Sequence, residues 1–360
     1  MSIISTLSQC VPRQLRPPVR KFVRALFPSL QHASRMQTEI DTYAGVENVH
    51  DLPAIAHYWS EKYVVPMFIP FGFRSSPDFF RTYIAKACAN KTEQIVSILS
   101  VGAGNCTTEL DIAGWLREQG IENYAFECFD INPQMLKRAQ SSASEKGLAE
   151  RFVLRTFDVN TWEPADRYDV ILAVQSLHHF VELEVLFDKI YRALKPGGYF
   201  LCDDMIGRNG HQRWPEALKF VNQIWSELPD KYKYNHGLKC LERRFPNSDY
   251  SVLGFEGIRS QDILPLLMRR FYFELFIGFG NIIDVFVDRA YGPNFDPANE
   301  WARSFIDRVQ SLDQIEIESG RVKPTHMVAC LTREPVSHTR MYKHLSPDFC
   351  VRHARWFSLP

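Results

Sequence analysis

The sequence predicts an α/β protein built on a mostly parallel sheet, and three observations carry that reading. Strand and helix signals alternate from Ile95 to Ile206, the pattern of strands joined by crossover helices. A glycine-rich turn, Gly102-Ala103-Gly104-Asn105, follows the first strand and opens onto a helix marked by Leu110, Ile112, Ala113 and Leu116. Polar residues recur where the strands end: Gly102, Asp130, Asp158, Gln175, His179 and Asp204. In open parallel sheets, ligands bind beyond the carboxyl ends of the strands.

Taken in order, the first strand is Ile95 to Val101 and the second is Tyr124 to Phe129, ending in Asp130. Asn132-Pro133 opens a helix carrying Met135, Leu136 and Ala139. The third strand is Phe152 to Thr156, and the fourth, Tyr168 to Val174, leads into Gln175-Ser176-Leu177-His178-His179. Val181 to Leu194 reads as a helix, stopped by Lys195-Pro196-Gly197-Gly198, and the fifth strand is Tyr199 to Met205. Trp214 to Trp225 reads as a helix, with candidate strands at Phe271 to Phe279 and Thr325 to Leu331. Between them lie polar-aromatic stretches too long for plain loops, of the kind that form lids or substrate walls. Four regions follow: a basic arm over 1–38; a helical lead-in over 39–92; a main domain over 93–332 with insertions at about 207–262 and 280–300; and a tail over 333–360.

The 45% apolar composition suits a chain with a real core, and the net charge of zero gives no footprint for nucleic acid. The eight cysteines form no CxxC pair and several sit in apolar runs, which points to reduced core cysteines in a cytoplasmic protein. The most apolar run, Phe271 to Val287, is broken by Glu274, Asn281 and Asp284, so no membrane span is expected. Val19, Phe22, Val23, Leu26 and Phe27 share one face of a short basic helix that Pro28 would stop. Such a helix either docks on its own domain or makes weak contact with an anionic membrane surface through residues 17–28, which would place the chain at the inner face of the membrane.

At the strand tips, the Gly102–Asn105 backbone offers N–H donors and close approach. Asp130 is positioned to accept both hydroxyls of a ribose. Asp158 is placed for the exocyclic amine of a base, with Ile131 and Val159 on the base's flat faces. The bland alternative for both acids is helix capping or turn formation.

With these residues in view, the segment from Ile95 to Ile206 resembles the class I S-adenosylmethionine-dependent methyltransferases. Ser100-Val101-Gly102-Ala103-Gly104 matches their acid-x-Gly-x-Gly turn, with Ser100 in place of the acid and Cys106 where a third glycine is common. FDINPQML aligns Asp130 with their second-strand acid, FDVN aligns Asp158 with their adenine-side Asp, and LKPGG precedes the fifth strand. The resemblance implies a Rossmann-like, seven-stranded sheet whose last strand runs antiparallel, and S-adenosyl-L-methionine as cofactor. Its cofactor side would comprise Ser100, Gly102, Ala103, Gly104, Asn105, Asp130, Ile131, Asp158, Val159 and Gln175. It also implies methyl transfer to a nucleophile; the expectation is a small-molecule acceptor methylated on oxygen, and the basic N-terminal helix alone motivates a glycan or lipid-linked compound. His179 and His211 are the candidate bases, and Asp204 an orienting or base carboxylate. His178 reads as a packing or cofactor contact. Glu256, Arg259, Asp284, Asp288, Arg289 and His326 read either as part of the site or as an ion-pair network holding the insertion. No metal is expected, although Asp203, Asp204 and His211 form the set to watch. Two other readings stay open. Gly102-x-Gly104 is half of a nicotinamide-dinucleotide fingerprint whose third glycine would fall at Thr107. Ser100 and Cys106 also suit a non-catalytic cofactor-binding module.

Overall fold

Strands buried on both faces need apolar side chains at successive positions, and the central strands have them. In the computed structural model, which describes residues 28–43, 45, 51–252 and 254–353, these runs form one eight-stranded sheet. Its strands are β1 (Val96–Val101), β2 (Tyr124–Asp130), β3 (Phe152–Thr156), β4 (Tyr168–Val174), β5 (Leu194–Met205), β6 (Tyr272–Phe279), β7 (His326–Thr332) and β8 (Arg340–Met341). The order is β8-β6-β7-β5-β4-β1-β2-β3. β7 alone is antiparallel to its neighbours, β5 and β6. The expected seven-stranded sheet with an antiparallel last strand is present, and β8 adds to it. The tail that showed no period supplies that eighth strand, with Arg340 and Met341 opposite Leu275 and Phe276.

Alternate side chains of each strand enter two cores. Leu99, Val101, Ile171 and Ala173 pack with Leu186, Phe187 and Ile190, while Ile98, Val170 and Leu172 pack with Phe79, Phe80, Leu110 and Leu136. The longer described helices are α1 (Pro28–Tyr43), α2 (Ser76–Ala89), α3 (Thr107–Glu118), α4 (Pro133–Glu145), α5 (Leu183–Ala193), α6 (Pro215–Glu227), α7 (Ser260–Arg270) and α8 (Glu300–Glu318), with a helical run over 54–71 before α2. Their starts are chemically marked. The Ser75 hydroxyl accepts from Asp78 N, the Asn132 side chain from Gln134 N and Met135 N, and the Asn299 side chain from Trp301 N and Ala302 N.

Several sequence expectations shift. Strand β5 begins at Leu194, because Lys195 to Gly198 bulge out between two pairings with β4 (Tyr168 with Leu194, Val170 with Tyr199). Gly198 suits that bulge, since a Cβ there would lie 2.8 Å from the Asp169 carbonyl oxygen. Pro28 is the first residue of the described helix α1, a position where its missing N–H costs nothing. The basic segment 17–27 lies outside the described residues. The longest helix, α8, was not singled out from sequence, nor was α7. The insertion over 207–262 contains α6, a two-residue ribbon (Tyr234–Asn235 with Cys240–Leu241) and the first turn of α7. No described helix is long and apolar enough to cross a membrane.

Helix α8 buries a carboxyl. Asp313 is fully buried and accepts from Ile282 N at 2.7 Å, while its second oxygen has no hydrogen-bond donor. Burial, reinforced by the charge of Asp284, pushes its pKa up to about 8. An acid raised in the folded state costs nothing below its ordinary value of 3.8, and destabilises increasingly as pH climbs toward 8. Asp313→Asn keeps an acceptor for Ile282 N and removes the charge. The gain in melting temperature over wild type is therefore expected to be several degrees at pH 8 and small at pH 5. A pH-independent difference would contradict this account.

Candidate active site

The bend after β1 is shaped by backbone needs. Gly102 and Gly104 have φ of +73° and +55°, and a Cβ on Gly102 would meet the Ser176 Cβ at 2.7 Å. The bend's amides, expected to face a ligand, are instead used within the protein. Gly102 N and Ala103 N donate to the Phe129 carbonyl at 2.9 and 3.0 Å, and Gly104 N donates to Asp130 Oδ2 at 2.8 Å. What the bend presents is therefore a carboxylate. Asp130 Oδ1 also accepts from Asn132 N at 2.8 Å. Each oxygen keeps room for a further donor, and burial pushes the carboxyl above its usual range. A vicinal diol would satisfy those free positions.

The other predicted cofactor residues divide. Ala103 is half-buried against the core, and Ile131 is half-buried beside Asp130. Val159 is buried in the core. Asp158 caps the turn Val159–Thr161, accepting from Asn160 N and Asn160 Nδ2, which is the capping alternative. The Asn105 side chain accepts from Arg138 Nε at 3.0 Å. Exposed Gln175 holds φ +50° and donates to Asp203 Oδ1. Ser100 is inside the protein: its hydroxyl donates to Glu109 Oε1 at 2.5 Å, and burial pushes the Glu109 carboxyl up. A carboxyl from the first turn of α3 thus stands against the position where the acid is missing.

At the tips of β4 and β5 the polar groups converge. Asp204 has no solvent contact and accepts from Ser176 N, Leu177 N and Met205 N at 2.9, 2.7 and 2.8 Å, and faces His178 Nδ1 at 2.7 Å. Burial raises its pKa, but the charge and hydrogen bond of His178 and the backbone donors bring it below the ordinary value. Its oxygens are engaged by protein groups, and it fixes the His178 ring through Nδ1. Asp203 faces Ser76 and Gln175, so the trio Asp203, Asp204 and His211 is not gathered into a metal set.

The centre of the cluster is Glu256. His211 Nε2 lies 2.6 Å from its Oε1 and His178 Nε2 lies 3.5 Å from the same oxygen; His179 Nε2 lies 3.7 Å from its Oε2, and the Tyr43 hydroxyl donates to Oε2 at 2.9 Å. Burial would raise the Glu256 carboxyl, but the hydrogen bonds from His178 and His211 and the charge of His178 hold it well below the carboxylate range. Burial pushes the His178 imidazole down, yet Asp204 and Glu256 outweigh it and lift it to about 10. His211 is lowered by burial against the pull of Glu256. Its own backbone is unusual, at φ +55°. Three of the remaining polar residues are in ion pairs. Arg259 pairs with Glu184 and Asp262, and Asp284 with Arg213 and His326.

Helix α1 lies over this edge of the sheet. Glu39 Oε1 is 2.6 Å from His179 Nδ1, a contact without hydrogen-bond geometry, and the Tyr43 ring stands edge-on to His179 at 6.0 Å. The Ile40 carbonyl accepts from Asn132 Nδ2 and the Tyr43 carbonyl from Arg138. Arg35 reaches the Ser251 and Gly254 carbonyls of the insertion. Glu39 and Tyr43 carried no signal in sequence, because a helix far upstream brings them.

Residues 99–202, from β1 to the middle of β5, match the family described as "Methyltransferase domain". This is a class I S-adenosylmethionine-dependent methyltransferase domain. The chain is similar to a sterol 24-C-methyltransferase of Pneumocystis carinii, 23% identical over 185 residues, which are 50% of this chain and 45% of that one. It is also similar to a mitochondrial 2-methoxy-6-polyprenyl-1,4-benzoquinol methylase of Oryza sativa subsp. japonica, 26% identical over 44% of this chain and 58% of that one. A solved geranyl diphosphate C-methyltransferase from Streptomyces coelicolor is 13% identical, covering 84% of this chain and 99% of that one at a TM-score of 0.41. The chain spans about half the length of the sterol and quinol relatives, and 7% of a highly reducing polyketide synthase of Calcarisporium arbuscula that also matches.

The bend of the methyltransferase domain offers a direct test. Gly102→Ala places a side chain in a left-handed conformation, at a cost of about 1–2 kcal/mol before the overlap with Ser176 is counted. Urea unfolding is expected to show that loss or more, together with weaker binding of S-adenosylhomocysteine. An unchanged midpoint would mean the bend tolerates a Cβ.

Proposed function

We propose that this chain transfers a methyl group from S-adenosyl-L-methionine to an oxygen of a small-molecule acceptor. The observation that carries the reading is the meeting, at one edge of one sheet, of a half-buried carboxylate with free acceptor positions and a histidine cluster beside it. Asp130 would hold the cofactor's ribose, with Ile131 against the base. S-adenosyl-L-methionine supplies an electrophilic methyl carbon on a sulfonium. An in-line displacement asks the protein mainly to align two atoms and exclude water. His179 is the residue we assign as base, since it stands between the Asp130 side and the Glu256 side. It takes the acceptor's hydroxyl proton while the oxygen bonds to the methyl carbon. The carbon–sulfur bond breaks and its electron pair returns to sulfur. Glu39 beside Nδ1 stabilises the imidazolium so formed. Asp204 and His211 then hold the acceptor wall through His178 and Glu256.

Calorimetry with S-adenosylhomocysteine is expected to show one site in the wild type, weakened at least about tenfold in Asp130→Asn by loss of charge-assisted hydrogen bonds. His179→Gln is expected to leave that affinity intact and to lower the turnover of labelled methyl into small hydroxyl acceptors by about 10²–10⁴-fold. Binding of NAD in place of S-adenosylhomocysteine would overturn the assignment in favour of a nicotinamide enzyme.

The position of α1 bears on access. Its Glu39, Ile40 and Tyr43 stand over Asp130 and His179, so we infer that cofactor entry requires α1 to lift. A chain beginning at Asp51 is expected to bind S-adenosylhomocysteine with a faster association rate and to turn over more slowly, having lost Glu39. Identical association rates would show that α1 is no barrier.

A further inference from the structure

We propose that His178, His211 and Glu256 form a binding site for one divalent first-row transition cation on the acceptor side of the cluster. Among the described residues, these three bring one ligand atom each to within 4.8 Å of one another. Two imidazole nitrogens with one carboxylate make a donor set suited to zinc or ferrous iron rather than to magnesium or calcium. Two ligands about 2.1 Å from a tetrahedral ion lie about 3.4 Å apart. His178 Nε2 and Glu256 Oε1 stand at 3.5 Å, so that pair needs no rearrangement, and His211 Nε2, at 2.6 Å from the same oxygen, needs only to back away.

The hydrogen bonding around the triad points the same way. Asp204 already accepts three backbone N–H groups, and it faces His178 Nδ1, so Nδ1 carries the donor hydrogen. His178 Nε2 faces a Glu256 oxygen across a single proton, a place that a divalent cation can take by displacing that proton. His211 Nε2 points at that same oxygen, so a single centre would serve both imidazoles. A buried carboxylate on the far nitrogen of a ligand histidine is the usual outer support of a metal site, setting its tautomer and direction. The Tyr43 hydroxyl steadies Glu256 from the other oxygen. His211 is held in a left-handed conformation, braced by Gly210 N donating to the Gly257 carbonyl; a Cβ on Gly257 would press on the His211 ring at 3.0 Å. About a third of the Glu256 side chain is exposed, which leaves an entry path and open coordination positions.

A cation here would sit next to His179, where it would orient an acceptor oxygen and lower its pKa. That part of the inference rests on the methyl-transfer reading; the site itself does not. The full chain, stripped with a chelator and dialysed, is titrated with Co²⁺ and followed by visible d–d absorption. The same sample is titrated with S-adenosylhomocysteine. One equivalent of Co²⁺ is expected, displaced by Zn²⁺. Glu256→Gln should lose at least about 100-fold in Co²⁺ affinity, and Asp204→Asn about 10–100-fold, with S-adenosylhomocysteine binding retained in both. The wild-type stoichiometry decides the matter even if a variant fails to fold. Wild-type protein that binds S-adenosylhomocysteine but takes up neither Co²⁺ nor Zn²⁺ in stoichiometric amount overturns the site, as does unchanged Co²⁺ affinity in a folded Glu256→Gln. Co²⁺ uptake without S-adenosylhomocysteine binding leaves the site standing and overturns the methyl-transfer reading.

Discussion

A single carboxylate with no access to water, Asp204, ties the working edge of this protein together. It leaves the end of β5 and draws in Ser176 N and Leu177 N from the chain just past β4, as well as His178. Ser176 in turn donates its hydroxyl to the Val101 carbonyl at the end of β1. Three strand tips are thereby locked around one charge. A buried carboxylate is tolerable only when its acceptor positions are filled. Removing any one donor would leave charge unmatched in the interior, so the tips, the bend and the first histidine must form together. The insertion joins the same assembly through Ile258 N, which donates to the His178 carbonyl, and its Glu256 comes with it.

The departures from the family pattern become intelligible at the same scale. Ser100 looked like the loss of a carboxylate, yet the structure supplies one from nine residues downstream in Glu109. Both groups are buried, and burial pushes the Glu109 carboxyl above its ordinary range, so the place of the acid is filled by a carboxyl held inside the protein. Cys106, where a glycine is common, takes the left-handed conformation that a glycine would adopt easily, at φ +52°. The strain is held by burial on all sides and by its N–H donating to the Ala103 carbonyl. The backbone path of the bend is thus kept with different side chains, and Asp130 still arrives at Gly104.

What could be read from the sequence follows from how local each signal is. Strands β1 to β4 are short apolar runs closed by polar tips, and their limits lie within a residue of expectation. Asp130 and Asp204 stand out in the sequence because a strand end marks them. The amides of the bend were misjudged because periodicity cannot say that Phe129 lies one strand over and takes two of them. Asp158 shows the same limit, since an acid at a strand tip serves a turn as readily as a ligand. Helix α8 went unnoticed although Asn299 caps it; its apolar positions Phe305, Ile306 and Val309 are diluted by charges at every turn. Glu256 was noticed as a charge among apolar neighbours, but its partners lie 45 and 78 residues away in the chain, at His211 and His178, and only the fold assembles them.

Helix α1 extends that logic beyond the sheet. A histidine at a strand tip needs a partner to fix its ring, and the parallel sheet has already spent its own carboxylate on His178. His179 is left to groups from outside the sheet, and Glu39 and Tyr43 provide them from a helix that also rests on Asn132, Arg138 and the insertion. The elements that complete the chemistry are therefore the same ones that cover the approach to Asp130. On the proposed methyl-transfer reading, α1 would lift to admit the cofactor and return to complete the site. Cofactor admission and the alignment of His179 then become two consequences of one helix position.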